Sequence, residues 1–145
     1  MARIADSRFA PARSGRAFTG PVLTGLAGFG ALAVVAARDP HVPGSWGTCR
    51  ILSLTGWYCP GCGGLRAMHD LLHGDVVAAL SSNLYAVGLA ALGLAIWLHW
   101  TASVLRGQPF MLRWLPERTL VLAATAGLVL FSVLRNTPVL GFLAP

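Results

Sequence analysis

The chain has 145 residues, of which 55% are hydrophobic and 11% are charged, and its mean hydropathy is +0.65. Because a soluble domain carries about 25% charged residues, this composition favours a membrane protein and excludes a soluble two-domain enzyme or a disordered chain. The net charge of +6 comes from single arginines scattered between apolar stretches. Nucleic acid is therefore not an expected partner, since its recognition needs a continuous basic face.

Three uncharged stretches are candidates for membrane-spanning helices. The first covers residues 18–37 and the second residues 84–105, and at 1.5 Å per residue each crosses a hydrocarbon core of about 30 Å. The third covers residues 119–134 and becomes long enough if its helix begins at Pro116, since proline and then Glu117 suit a first turn. The sequence predicts an all-α membrane protein with three transmembrane helices.

Arginine is unevenly distributed between the connections, and the arginine-rich side of a membrane protein is the cytoplasmic side. Residues 1–17 carry four arginines and residues 106–115 carry two, whereas residues 38–83 balance three arginines with three aspartates. The N-terminus is therefore expected in the cytoplasm and the C-terminus outside. The absence of lysine beside abundant alanine and glycine is typical of a GC-rich bacterial genome, so we expect the bacterial inner membrane.

The first stretch has a second interpretation, a cleaved signal peptide. Ala31-Leu32-Ala33 could serve as a cleavage site. A signal peptide has an apolar region of about 7 to 15 residues, which the first stretch exceeds. We therefore expect this segment to remain as a transmembrane helix.

Residues 38–83 contain every cysteine of the chain. After Gly64 the apolar positions recur with helical spacing, which predicts a short amphipathic helix that ends at Gly74 and lies at the membrane interface. Asp75 suits the N-cap of a following helix. The predicted organisation is an arginine-rich cytoplasmic tail (1–17), transmembrane helix 1 (18–37), an extracytoplasmic cysteine loop (38–83), transmembrane helix 2 (84–105), a cytoplasmic loop (106–115), transmembrane helix 3 (116–135) and a C-terminal tail (136–145).

The cysteines allow three interpretations, which the sequence leaves open. Cys49, Cys59 and Cys62, with His69 or alternatively His73 as fourth ligand, provide the ligand set of a structural zinc site. An external loop also favours a disulfide between two of the cysteines. Cys59 and Cys62 could instead be a catalytic redox pair near a helix N-terminus, although the βαβ context of thioredoxin-like sites is missing.

The segment Leu54–Ala67, with its Cys-Pro-Gly-Cys core (the CPGC turn, residues 59–62), resembles the small bacterial membrane proteins of the domain of unknown function 2752 family. Their hallmark is C-P-x-C-G-x-[T/L]-R-A, and Cys49, Arg66 and the Gly74-Asp75 step also match. The resemblance covers about residues 45–137, including a weaker match at Arg135-Asn136. It implies a multi-pass membrane protein with a defined cysteine motif, and it brings no activity.

Arg66 lies in the amphipathic helix beside the membrane, where a cation needs a partner. Asp70 follows one helical turn later and Asp75 lies just past the helix end, so we expect a structural ion pair that pins this helix. The alternative is a clamp for an anionic headgroup or substrate.

Together these features predict a non-catalytic accessory or scaffold subunit that presents a rigid external loop. A metal ion or a disulfide between cysteines would hold this loop, and the metal in the first case would be one structural zinc ion. The partners of the subunit would be the lipid bilayer and another membrane protein or a second copy of this chain. The alternative function is a membrane thiol–disulfide oxidoreductase that uses Cys59 and Cys62.

Overall fold

The computed structural model describes residues 15–108 and 117–138, and all regular secondary structure in these ranges is helical. This confirms the all-α prediction. The helices are α1 (Gly15–Ala37), α2 (Arg50–Thr55), α3 (Gly64–Leu72), α4 (Val76–Leu105) and α5 (Glu117–Leu134). Most of the predicted tail 1–17, most of the predicted loop 106–115 and most of the predicted tail 136–145 lie outside the described residues.

Helix α4 begins eight residues before the predicted start of the second span and bends where that span was expected to begin. Asp75 caps the first part, since its Oδ1 accepts a hydrogen bond from the Ala78 N–H at 2.9 Å. Asn83 has an extended backbone (φ −166°, ψ 92°) inside the helix, and its Oδ1 accepts from the Ala86 N–H at 2.9 Å. Asn83 thus caps a helix in the same way as Asp75, because each side chain accepts from the N–H three residues later. A second helical part therefore starts at the bend.

Two of the helices are long and apolar enough to cross a membrane, the segment Ala17–Ala37 of α1 and the whole of α4. Only 11% of the most apolar window of each is buried within the chain. Such extensive exposed apolar surface is unusual for a soluble monomer and is expected for helices in lipid. In α5 the apolar part, Val121–Leu134, is shorter, so a third span stays a prediction.

Helix α1 packs against the second part of α4 through glycines that face tryptophan rings. A Cβ atom on Gly20 would lie 2.8 Å from Cζ2 of Trp100, and one on Gly25 would lie 2.8 Å from Cζ2 of Trp97. The indole N–H of Trp97 also donates to the Pro21 carbonyl at 3.0 Å. The two helices therefore approach as closely as they do because these glycines have no side chain.

Helices α3 and α5 both contact the first half of α4, at the end that carries the cysteine loop. Ala67 of α3 and Ala79 of α4 are completely buried. Tyr85 of α4 stacks on Phe131 of α5 with 5.5 Å between ring centroids, and its hydroxyl donates to the Ala124 carbonyl at 2.8 Å. The loop before α3 is thereby placed between the bend of α4 and the C-terminal end of α5.

The close contact between α1 and α4 predicts different effects for two glycines of α1. Gly25→Ala should lower stability by about 1–3 kcal/mol because the added methyl group overlaps the Trp97 ring. Gly28→Ala, with no atom within 4 Å of the new Cβ, should be neutral or stabilising because alanine favours helix. Thermal unfolding of both variants in detergent tests this, and equal melting temperatures would contradict the packing described.

Candidate metal centre

Helix α2 brings Cys49 next to the CPGC turn, a helix that the sequence patterns did not predict. Cys49 is the N-cap residue of α2, and Gly56 ends the helix with φ +72° while its N–H donates to the Leu52 carbonyl. Glycine adopts this left-handed conformation without steric cost. The chain therefore reverses direction at Gly56, and Cys59 returns to the side of Cys49.

The three thiols meet at one point. Sγ of Cys59 lies 3.4 Å from Sγ of Cys49 and 3.1 Å from Sγ of Cys62, and all three sulfur atoms lie within 4.8 Å of one another. A disulfide bond measures about 2.05 Å, so no two of them are bonded. Two sulfurs on a tetrahedral zinc ion, each at about 2.3 Å, are about 3.8 Å apart. The observed separations are closer to this value, so small side-chain rotations would suffice to enclose an ion.

The thiols of Cys49 and Cys62 differ in acidity. A backbone hydrogen bond from Leu52, with further hydrogen bonds from Cys62 and Cys59, lowers the pKa of Cys49 to about 7. Burial, together with hydrogen bonding to the other two thiols, raises the pKa of Cys62 to about 12. A nucleophilic cysteine of a redox pair needs a lowered pKa. A position near a helix N-terminus favours the thiolate form of Cys62. Burial has the larger effect, and the pKa of Cys62 is therefore raised.

Asn83 holds the CPGC turn from the bend of α4. Its Nδ2 donates to the carbonyls of Pro60 at 2.8 Å and Cys62 at 3.0 Å, and the residue is 1% exposed. The extended backbone at Asn83 lets its side chain reach the CPGC turn. One residue thus supports the turn and caps the second part of α4.

The chain just after α5 also holds this turn. Nη1 of Arg135 donates to the carbonyls of Cys59 at 3.0 Å and Cys62 at 3.1 Å. Asn136 pairs with the backbone of Tyr58, accepting from its N–H at 2.8 Å and donating to its carbonyl at 2.9 Å. Sequence reasoning assigned neither residue to the site. The one available signal was the weaker family match at these two positions.

Arg135 is a buried cation with unused hydrogen-bonding capacity. The residue is 1% exposed, and its Nε and Nη2 atoms have no hydrogen-bond partner in the described part of the chain. Its guanidinium carbon lies 4.9 Å from the ring centroid of Phe131 and 5.8 Å from that of Tyr58. A buried charge is stable only when it is compensated. The ionisable groups that act electrostatically on this guanidinium are Cys62, Cys59 and Tyr58.

Of the two histidines considered as a fourth ligand, His69 faces α1 and His73 is the C-cap residue of α3. Nδ1 of His69 is 2.9 Å from the Val35 carbonyl oxygen and its Nε2 is 3.9 Å from Asp39, while Nδ1 of His73 is 2.8 Å from the carbonyl oxygen of His69. Over residues 15–108 and 117–138, the group able to share one ion consists of the three cysteines. The structure therefore brings the cysteines together without the expected histidine.

The expected ion pair of Arg66 with Asp70 or Asp75 is not formed among the described residues. Asp70 is buried, and its Oδ1 lies 2.7 Å from Nε2 of His41, a residue from the loop after α1. Arg66 donates from Nε to the Pro40 carbonyl at 3.3 Å. Packing of α1 on α3 offers Asp70 a nearer partner than its neighbour on the same helix, and Asp75 serves as the helix cap.

A cleft of about 690 Å³ opens beside the cysteines. Cys49 and Cys62 form part of its wall, together with Arg66 and the rings of Trp46 and Tyr58. Its volume falls in the range of small-molecule sites, about 300–1,000 Å³. The thiol cluster is therefore accessible from a space large enough for a ligand.

Residues 49–98 match the model of the family described as "Protein of unknown function (DUF2752)", which confirms the predicted resemblance to this family. The matched segment runs from the first cysteine through the second and third cysteines into the membrane-length helix α4. Neither a curated protein nor a solved structure matches the chain.

The support of the turn by Asn83 predicts a large effect for a small substitution. Asn83→Ala should lower stability by about 2–3 kcal/mol, because the Pro60 carbonyl and the Ala86 N–H lose their buried partner. Ser81→Ala, an exposed change in the same helix, is the control. Thermal unfolding in detergent would contradict the assignment if both variants melted within one degree of each other.

Proposed function

We propose that this chain is a non-catalytic membrane protein whose external loop binds one zinc ion through Cys49, Cys59 and Cys62. The observation that carries the proposal is the meeting of three unbonded sulfur atoms within 4.8 Å of one another. Thiolates are preferred ligands of zinc, and each must lose its proton to bind. Two of the sulfurs come from a tight turn and the third from the N-cap of α2, which gives the ion two anchor points along the loop.

The buried charge of Arg135 favours a bound metal over three protonated thiols. A divalent ion with three thiolates carries one net negative charge, and the buried guanidinium beside the turn balances it. Three neutral thiols would leave Arg135 without a counter-charge in a setting where an unpaired charge is costly. The charge of this side chain and the ligand set of the ion therefore complement each other.

A metal at this position would make the loop a rigid platform. The ion would join the start of α2 to the CPGC turn, which Asn83 and Arg135 already connect to α4 and to the end of α5. Such a platform suits an accessory or scaffold subunit that presents its loop to another membrane protein or to a second copy of itself. The ion in this role maintains shape and takes part in no reaction.

The zinc site can be tested on protein purified in detergent under reducing conditions. We expect one zinc per chain and three thiols that react with a maleimide only after a chelator is added. Cys59→Ser should abolish stoichiometric zinc. Arg135→Gln should weaken zinc binding at least about tenfold through the lost charge balance, whereas Arg118→Gln, an exposed arginine at the start of α5, should not.

Two other results of that measurement would overturn the zinc proposal. Absence of metal with a single reactive thiol would indicate a disulfide between the other two. Absence of metal together with a partner trapped on Cys59 in the Cys62→Ser variant would indicate a thiol–disulfide oxidoreductase. The sulfur atoms of Cys59 and Cys62 are 3.1 Å apart, so small side-chain rotations would allow these two cysteines to form a disulfide.

For the membrane topology we propose three crossings of a bacterial inner membrane, with the N-terminus in the cytoplasm and the cysteine loop outside. The distribution of arginines and the exposed apolar surfaces of α1 and α4 support this. An impermeant maleimide should label Val42→Cys in intact cells but label Arg106→Cys only after permeabilisation, with the unmodified chain as background. The reverse pattern would contradict the proposed orientation.

A further inference from the structure

The proposed centre takes three ligands from this chain, and zinc takes four. All three cysteines of the sequence are already in the cluster. Of the four histidines, His41 contacts Asp70, His69 contacts the Val35 carbonyl, and His73 contacts the carbonyl of His69. His99 lies sixteen residues beyond Asn83 along α4, about 24 Å away at 1.5 Å per residue. No thiol or imidazole of this sequence is therefore placed to complete the set.

The side of the cluster without a ligand faces the cleft. Cys49 and Cys62 both contribute to the cleft wall, whereas Asn83 and Arg135 contact the turn through the Cys62 carbonyl and neither is part of that wall. A ligand that completes a tetrahedral set would therefore arrive through the cleft. A centre with an open position is the arrangement that proteins use for metals that bind an external molecule.

Arg66 gives the same cleft a positive charge. It is half-buried in the cleft wall, and its Nε donates a hydrogen bond to the Pro40 carbonyl. No carboxylate of the described residues lies within ion-pair distance of its guanidinium. The terminal nitrogens of an arginine are suited to paired hydrogen bonds with a carboxylate. The cleft therefore combines an open metal position with a site for a small anion.

We infer that the cleft binds a small thiol that carries a carboxylate, with its sulfur on the metal and its carboxylate on Arg66. This inference rests on the proposed function, because it needs the ion. A soft sulfur donor matches the soft thiolate set, and the rings of Trp46 and Tyr58 can contact the carbon atoms between the two groups. On binding, the thiol gives its proton to solvent, and a metal–sulfur bond replaces a metal–water bond without change of oxidation state.

Replacing zinc by Co²⁺ in the full-length protein in detergent makes the coordination visible in the absorption spectrum. We expect one equivalent of 3-mercaptopropionate to intensify the thiolate-to-cobalt band while the cobalt stays on the protein, as measured after gel filtration. The neutral thiol 2-mercaptoethanol should bind at least about fivefold more weakly, because it lacks the charge that Arg66 attracts. Propionate, which lacks sulfur, should leave the band unchanged.

Two variants assign the charge recognition to one residue. Arg66→Gln should bind cobalt normally and bring the ratio of the two thiol affinities close to one, while Arg50→Gln, an exposed arginine outside the cleft wall, should keep the ratio of the unmodified chain. Cobalt bound with no response to either thiol would overturn the inference and leave the proposed zinc site intact. Equal affinities in the unmodified chain would overturn the role of Arg66, and failure to bind cobalt would overturn both proposals.

Discussion

The hydrogen bonds that Asn83 and Arg135 donate to the carbonyls of the CPGC turn connect the cysteine loop to the helices. The turn exposes these carbonyls to a partly buried space, and a buried polar group without a partner costs about 1–3 kcal/mol. Cys62 receives a donor from each of the two side chains. The geometry of the three thiols thus depends on residues 21 and 73 positions away in sequence, and the loop is held at the end of the helix bundle before any ion binds.

This arrangement depends in turn on an irregularity in α4. A regular helix would direct the amide of Asn83 along the helical surface and would use its backbone N–H in the ladder. The extended conformation at Asn83 breaks the ladder, and the side chain restores two functions at once, since it caps the second helical part and donates to the turn. The hydrogen bonds of the Asn83 side chain therefore offset the helical hydrogen bonding that is lost at the bend, and they also support the site.

Electrostatics links the second support to the proposed chemistry. Arg135 cannot lose its proton under ordinary conditions, so a completely buried guanidinium needs a negative partner nearby. In the proposed centre a zinc ion with three thiolates would supply that charge, and the rings of Phe131 and Tyr58 provide further stabilisation through cation–π contact. Arg66, on the other side of the cluster, faces the cleft. In our proposals one arginine, Arg135, balances the charge of the centre, and the other, Arg66, attracts a molecule that approaches it.

The sequence by itself determined the helical class, the two most apolar helices and the resemblance to the family matched over residues 49–98, because long uncharged runs and a CPGC motif are local signals. It also indicated the cap at Asp75 and the amphipathic helix α3, which depend on neighbours three or four residues apart. Only the tertiary structure decided the partners of the charged and ligating groups. His69 turns to Val35 and Asp70 to His41 because α1 packs on α3, and Arg135 reaches a turn 73 residues earlier because α5 packs on α4. Spacing along a helix could not reveal these contacts, since each partner comes from a different helix or loop.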